Sequence, residues 1–181
     1  MLFLASPSWS EGFWCSLFGV ECESTPSHRI IENGGVHFEI GENKPFNGSS
    51  VEYKDSKIYL KKYYIDGLLK SRNRYFDGEL RSSLEFENNK PHGVWKFYRD
   101  KKMTEKGFFE KGKPSGTWMH YNDKGEVKQK LDFIGSDESI VAGYYKSGQL
   151  NQKGPHKLGE PEGPWEHYHE NGLVSSRGKY K

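Results

Sequence analysis

Rings punctuate a largely polar chain at a short, regular interval. Tyr53, Tyr64, Tyr75, Phe86, Tyr98, Phe109, Tyr121, Phe133, Tyr145, His156, Tyr168 and Tyr180 follow one another every 11 or 12 residues. Eleven of these twelve positions are aromatic in a chain that is 15% aromatic, which excludes chance. Turn signals follow several of them: Asp66-Gly67, Asp77-Gly78, Lys111-Gly112, Lys124-Gly125, Ser147-Gly148 and Asn171-Gly172. Asp-Gly and Asn-Gly suit the positive φ of tight hairpin turns. A longer phrase recurs as well. Lys90-Pro91-His92-Gly93-Val94-Trp95-Lys96-Phe97-Tyr98 returns as Lys113-Pro114-Ser115-Gly116-Thr117-Trp118-Met119-His120-Tyr121 and as Glu160-Pro161-Glu162-Gly163-Pro164-Trp165-Glu166-His167-Tyr168. Its Lys-Pro-x-Gly start reads as a second kind of turn, with Pro presetting φ. Two strands of about six residues and two turns make one antiparallel hairpin. The unit is therefore about 23 residues long, and hairpins stack side by side.

This pattern predicts an all-β fold: an elongated, twisted antiparallel sheet of stacked β-hairpins, with rings packing on their equivalents one unit along. The repeat domain spans residues 41–181. Residues 1–40 form an aromatic-rich, irregular N-terminal cap (Phe3, Trp9, Phe13, Trp14, Phe18), with a linker-like break at Ser24-Thr25-Pro26-Ser27. The weakest unit runs from about Asp132 to Gly143. There Gly135-Ser136-Asp137-Glu138 reads as a bulge or longer loop, and no Trp stands at the expected place.

Composition narrows the alternatives. Only 33% of the 181 residues are hydrophobic and mean hydropathy is −0.92, yet 27 rings and 21 glycines are present. So many aromatics argue against simple disorder, and two alanines argue against a helical bundle. A net charge of +2, with acids interspersed among bases, gives no global field for nucleic acid or anionic lipid. No run approaches the 18 apolar residues of a membrane-spanning helix. Cys15 and Cys22 read either as two thiols or as one local disulfide, the latter implying an oxidising compartment. Without a nearby His pair they make a poor zinc site.

No catalytic constellation emerges. The seven histidines (His28, His37, His92, His120, His156, His167, His169) are scattered. His167 and His169 share a strand face at metal-compatible spacing but lack a third ligand. His120 occupies the unit position of His167, which argues for packing. The carboxylate pairs Asp137/Glu138 and Glu160/Glu162 fall in turns without an apolar pocket, and no Gly-x-Ser-x-Gly elbow is present. No metal or cofactor is expected. Trp95, Trp118 and Trp165 with Tyr98, Tyr121 and Tyr168 read first as a structural ladder. Read functionally, they and His120, His167 and His169 offer an aromatic surface to a partner, Trp and Tyr three apart facing opposite sides unless a bulge intervenes.

The Gly-x-Trp-x-x-Tyr-x-x-x-Gly pattern resembles the MORN repeat superfamily, and more closely the bacterial YwqK-like antitoxins. Tyr121-Asn122-Asp123-Lys124-Gly125, Tyr168-His169-Glu170-Asn171-Gly172 and Phe109–Trp118 carry the resemblance, which covers about residues 41–181. It implies a non-enzymatic immunity or antitoxin-like protein that binds a cognate bacterial toxin and occludes it. A structural or membrane-associated scaffold is the alternative. With a Cys15–Cys22 disulfide, the toxin would be met in the periplasm; without one, the cytoplasm is the alternative. Neither nucleic acid nor an integral membrane segment is expected, and the oligomeric state stays open.

Overall fold

Strand is the dominant local structure because short segments carrying Tyr, Phe, Trp, Val, Ile and Thr are closed off every few residues by turn-forming pairs. The computed structural model describes residues 24–181 in two compact units, one of residues 24–78 with 86–89 and one of residues 79–85 with 90–181. Cys15 and Cys22 lie outside the described residues. Apart from one 3-10 turn at Ser27–Arg29, all regular elements are strands. The protein is thus all-β, with mostly antiparallel strands in hairpin order.

The first unit holds β1 (Thr25–Pro26), β2 (Ile30–Asn33), β3 (Val36–Glu39), β4 (Gly48–Lys54), β5 (Lys57–Ile65) and β6 (Leu68–Phe76). β4, β5 and β6 are consecutive antiparallel neighbours. The supposed break at Ser24–Ser27 instead supplies β1, which runs parallel to β4. β2 and β3 form a separate hairpin, so the second half of the expected cap is regular structure. That hairpin is tied to the first repeat turn: His37 Nδ1–H donates to the Gly67 carbonyl at 2.9 Å, and its ring meets Tyr64 at 4.7 Å. Tyr64, Phe46, Val51 and Leu60 are buried there. Gly67 fits because its φ is +70° and a Cβ would lie 2.4 Å from Val36.

The second unit draws on β7 (Glu79–Glu87), β8 (Lys90–Arg99), β9 (Lys102–Glu110), β10 (Lys113–Tyr121), β11 (Val127–Phe133), β12 (Glu138–Tyr144), β13 (Leu150–Lys157), β14 (Glu160–Pro161), β15 (Gly163–Tyr168) and β16 (Val174–Tyr180). From β8 to β13 each strand pairs with the next; β15 then pairs with β13 and β16 with β15. The weak unit does contain a longer loop, between Phe133 and Glu138, but β12 beyond it is among the best-buried strands.

The turns require one correction. Lys-Pro-x-Gly is not a turn, because Lys90–Gly93 lies inside β8 and Lys113–Gly116 inside β10. Proline is tolerated near a strand start; Gly93 and Gly116 beyond it take φ +95° and +62°, and the β9–β10 register shifts after Ser115. The real turns are the pairs immediately before: Asn88-Asn89 and Lys111-Gly112, like Asp55-Ser56, Asp66-Gly67, Asp77-Gly78, Asp100-Lys101 and Leu158-Gly159, have positive φ at both residues. That is the backbone twist two-residue hairpins need. Lys124-Gly125, Ser147-Gly148 and Asn171-Gly172 belong to longer loops closed by bonds such as Gly125 N–H to the Asn122 carbonyl, 2.9 Å.

Leu158 sits at φ +53° with its side chain in solvent, an unfavourable place for a branched apolar residue. Leu158→Asn creates the preferred Asn-Gly pair and is expected to raise stability by about 1 kcal/mol, measured by urea unfolding. A loss of stability would show that Leu158 makes a needed contact.

Candidate functional surface

Register sorts the aromatic residues of the second unit onto two faces. On one, Trp95 pairs with Gly107, Trp118 with Leu131, Leu131 with Val141, Val141 with Gly154, and Trp165 with Gly178. Trp95 and Trp118 stack at 5.1 Å. A Cβ on Gly107 would lie 2.2 Å from the Trp118 ring, and one on Gly154 would lie 2.3 Å from Trp165. Each of these two indole N–H groups donates to a neighbouring strand, Trp118 to the Phe108 carbonyl of β9 (3.1 Å) and Trp165 to the Pro155 carbonyl of β13 (3.2 Å). Phe109 and Phe133 close edge-on upon Trp118, and Tyr180 upon Trp165. Val141, 1% exposed, fills the place where a tryptophan was missing, and Trp165 is 4% exposed. This tryptophan face is the core of the unit.

The opposite face carries tyrosine. Register shifts fall immediately before Tyr98, Tyr121, Tyr144 and Tyr168, which pair with Met103, Val127, Leu150 and Val174. The structure therefore sets Tyr144, not Tyr145, as the equivalent of Tyr121. Each shift leaves an extra residue on the following strand: Thr104, Lys128, Asn151 and Ser175. The Tyr121 hydroxyl reaches Met119 Sδ (3.3 Å), and the Tyr168 hydroxyl donates to Glu166 Oε2 (2.6 Å). These two tyrosines thus fold back over the residue two before them, on the side away from Trp118 and Trp165. Trp and Tyr three apart do face opposite ways. All four tyrosines are half-buried, and shallow grooves run beside them, one lined by Met119, Val127, Lys130 and Tyr144.

Between the tyrosines and the sheet centre lies a cross-strand line. Lys96 pairs with Lys106, Lys106 with Met119, Met119 with Lys130, Lys130 with Ala142, Ala142 with Lys153, Lys153 with Glu166, and Glu166 with Arg177. Five cations thus stand with one carboxylate. Lys130 bridges Asp132 at 3.0 Å and Arg177 Nε donates to Glu166 Oε1 at 2.8 Å, while Lys96, Lys106 and Lys153 make no ion-pair contact among the described residues. The Thr117 hydroxyl, then Lys130, holds the Asp132 carboxyl below its ordinary range. Sequence reasoning missed this line, although Lys106, Lys130, Lys153 and Arg177 recur every 23 or 24 residues.

Glu166 is pulled below its ordinary range first by the Tyr168 hydroxyl and then by Arg177, and the same carboxylate raises Tyr168. A depressed carboxyl contributes stability above the ordinary carboxylate range and loses it as pH falls through the folded value. Tyr168→Phe removes the larger cause. The Glu166 midpoint, followed by NMR, is expected to move upward; an unmoved midpoint would show that the hydroxyl does not act on it.

The histidines do not assemble a site. His167 packs on Trp165 at 6.5 Å, while His169 lies past β15 in the loop closed by its N–H to the Leu173 carbonyl. His120 lies 3.8 Å from Glu105. No group of three or more His, Cys, Asp or Glu placed to hold a metal occurs among the described residues. Asp137, Glu138, Glu160 and Glu162 are exposed. Among the described residues no helix is long and apolar enough to cross a membrane.

No family model and no curated protein sequence matches the chain. The solved structures that match include two whose likeness is weak. One is TarM, at 17% identity and a TM-score of 0.31 over 60% of this chain. The other is a mutant of S. aureus TarM in complex with Fondaparinux, alpha-GlcNAc-glycerol and UDP, at 13% identity and 0.30 over 57%. The matched stretch spans 19% and 18% of those chains. At these values the likeness identifies neither a family nor an activity.

Proposed function

We propose that this is a non-enzymatic immunity or antitoxin-like protein of the MORN-repeat kind, which binds a cognate bacterial toxin through its tyrosine face and occludes it. The observation that carries this reading is the separation of the rings. Tryptophans are spent on the core face, whereas Tyr98, Tyr121, Tyr144 and Tyr168 stay half-exposed beside a line of lysines, of which Lys96, Lys106 and Lys153 make no ion-pair contact among the described residues. Tyrosine beside cations suits a protein interface, giving large rigid contact area with rim charges for specificity. The test is coexpression with the product of the neighbouring reading frame. Restored growth and a stoichiometric complex are expected, both lost in a folded Tyr98→Ala/Tyr121→Ala/Tyr144→Ala variant. Full protection by that variant, or no complex, overturns the reading.

The lysine line also favours a second reading, a scaffold on anionic membranes; binding to anionic vesicles in the absence of any protein partner is its signature. The periplasmic assignment rests on a Cys15–Cys22 bond, decided by mass measurement with and without reductant.

A further inference from the structure

Lys106, Met119, Lys130, Ala142 and Lys153 form a line across five neighbouring strands in which cation and apolar side chain alternate. Adjacent strands lie about 4.8 Å apart, so the cations repeat every two strands, about 9.6 Å. An extended polypeptide of three residues per turn advances about 9.3 Å per turn, which returns every third side chain to one side. We propose that this line is the seat of an extended acidic segment of the protein partner, with a carboxylate at every third residue; the proposal rests on the binding role argued above and specifies its chemistry.

Charge complementarity argues for the occupant. Lys106 and Lys153 are exposed and, with Lys96 at the head of the line, have no ion-pair contact among the described residues, while the half-buried Lys130 between them shares its charge with Asp132. The surroundings argue for protein over a bare polyanion. Met119, half-buried, and Ala142, buried beneath the flanking side chains, separate the cations, and Tyr98/Met103, Tyr121/Val127 and Tyr144/Leu150 supply the apolar contact alongside. Such a surface matches a ligand that interleaves carboxylates with apolar groups, whereas an inorganic polyphosphate offers nothing to the apolar positions. Mutual repulsion of its carboxylates keeps an acidic segment extended before it binds. At the far end a carboxylate, Glu166, stands in the line itself and holds Arg177, so its negative charge ends the segment short of β16.

A synthetic (Glu-Pro-Leu)5 peptide tests this, with an isomer of identical composition carrying its five glutamates in one block. The regular peptide is expected to bind the full chain in low salt and to weaken as salt rises. The Lys96→Gln/Lys106→Gln/Lys153→Gln variant, checked for an unchanged melting curve, is expected to bind it about tenfold more weakly, since each exposed pair contributes little alone. Equal binding of the blocked isomer would overturn the spacing. Equal or tighter binding of polyphosphate would overturn the protein partner. No binding of the regular peptide would overturn the proposal. If the coexpressed toxin is still bound and released by the tyrosine substitutions, the toxin-binding role survives and only the acidic segment falls.

Discussion

Trp165→Ala is expected to destabilise the protein by about 3–5 kcal/mol, the range for emptying a large ring from a core. Trp165 is the largest side chain among the buried residues of the second unit, and Tyr180, His156 and His167 all pack on its ring. Its removal leaves a cavity on a single sheet face and strips the Pro155 carbonyl of its indole partner. Because a domain's whole stability is about 5–15 kcal/mol, the variant should melt far earlier in guanidinium or fail to accumulate folded. Unchanged unfolding would show that the ring is not core, and would leave it the partner-facing role that is the functional alternative to the ladder.

Gly154→Val attacks the same contact from the other side, and the expected cost is about 3 kcal/mol. The backbone at Gly154 is ordinary strand, so the penalty is steric: the new Cβ would lie 2.3 Å from the indole, and the indole is too buried to swing aside. Combining Gly154→Val with Trp165→Ala removes the clash. The two losses should therefore fall short of additivity by about 1–3 kcal/mol in a double-mutant cycle. Full additivity would refute the ring-over-glycine geometry. Gly107→Val under Trp118 is the milder relative, because that ring is only half-buried.

How much of this could be read beforehand depends on which interaction sets each feature. Strand and hairpin order were legible because they follow from local chemistry, ring spacing and turn residues. Turn placement was only partly legible. Asn88-Asn89 and Asp100-Lys101 adopt positive φ without glycine, and the more conspicuous Lys-Pro-x-Gly drew the turn a few residues too late. The two faces were legible only as an alternative, since the irregularities before each tyrosine are set by pairing with the next strand and leave no mark in their own segment. Hence Tyr145 was counted where Tyr144 belongs. Gly107 and Gly154 do leave a signal, each standing eleven residues before a tryptophan that needs the room. The lysine line carries the repeat period, but lysine is so common in this chain that only register separates Lys106, Lys130 and Lys153 from their neighbours.

Antiparallel pairing also gives the array a parity. Adding or losing one whole hairpin returns every later strand to its former direction, so Trp165 stays on the side of Trp118 and the lysines remain in line. Adding or losing a single strand reverses all that follow, and a reversed strand can continue the sheet only by turning over. Tryptophans would then emerge among the tyrosines. The length of such a protein can therefore drift in steps of about 23 residues, while half-steps are forbidden.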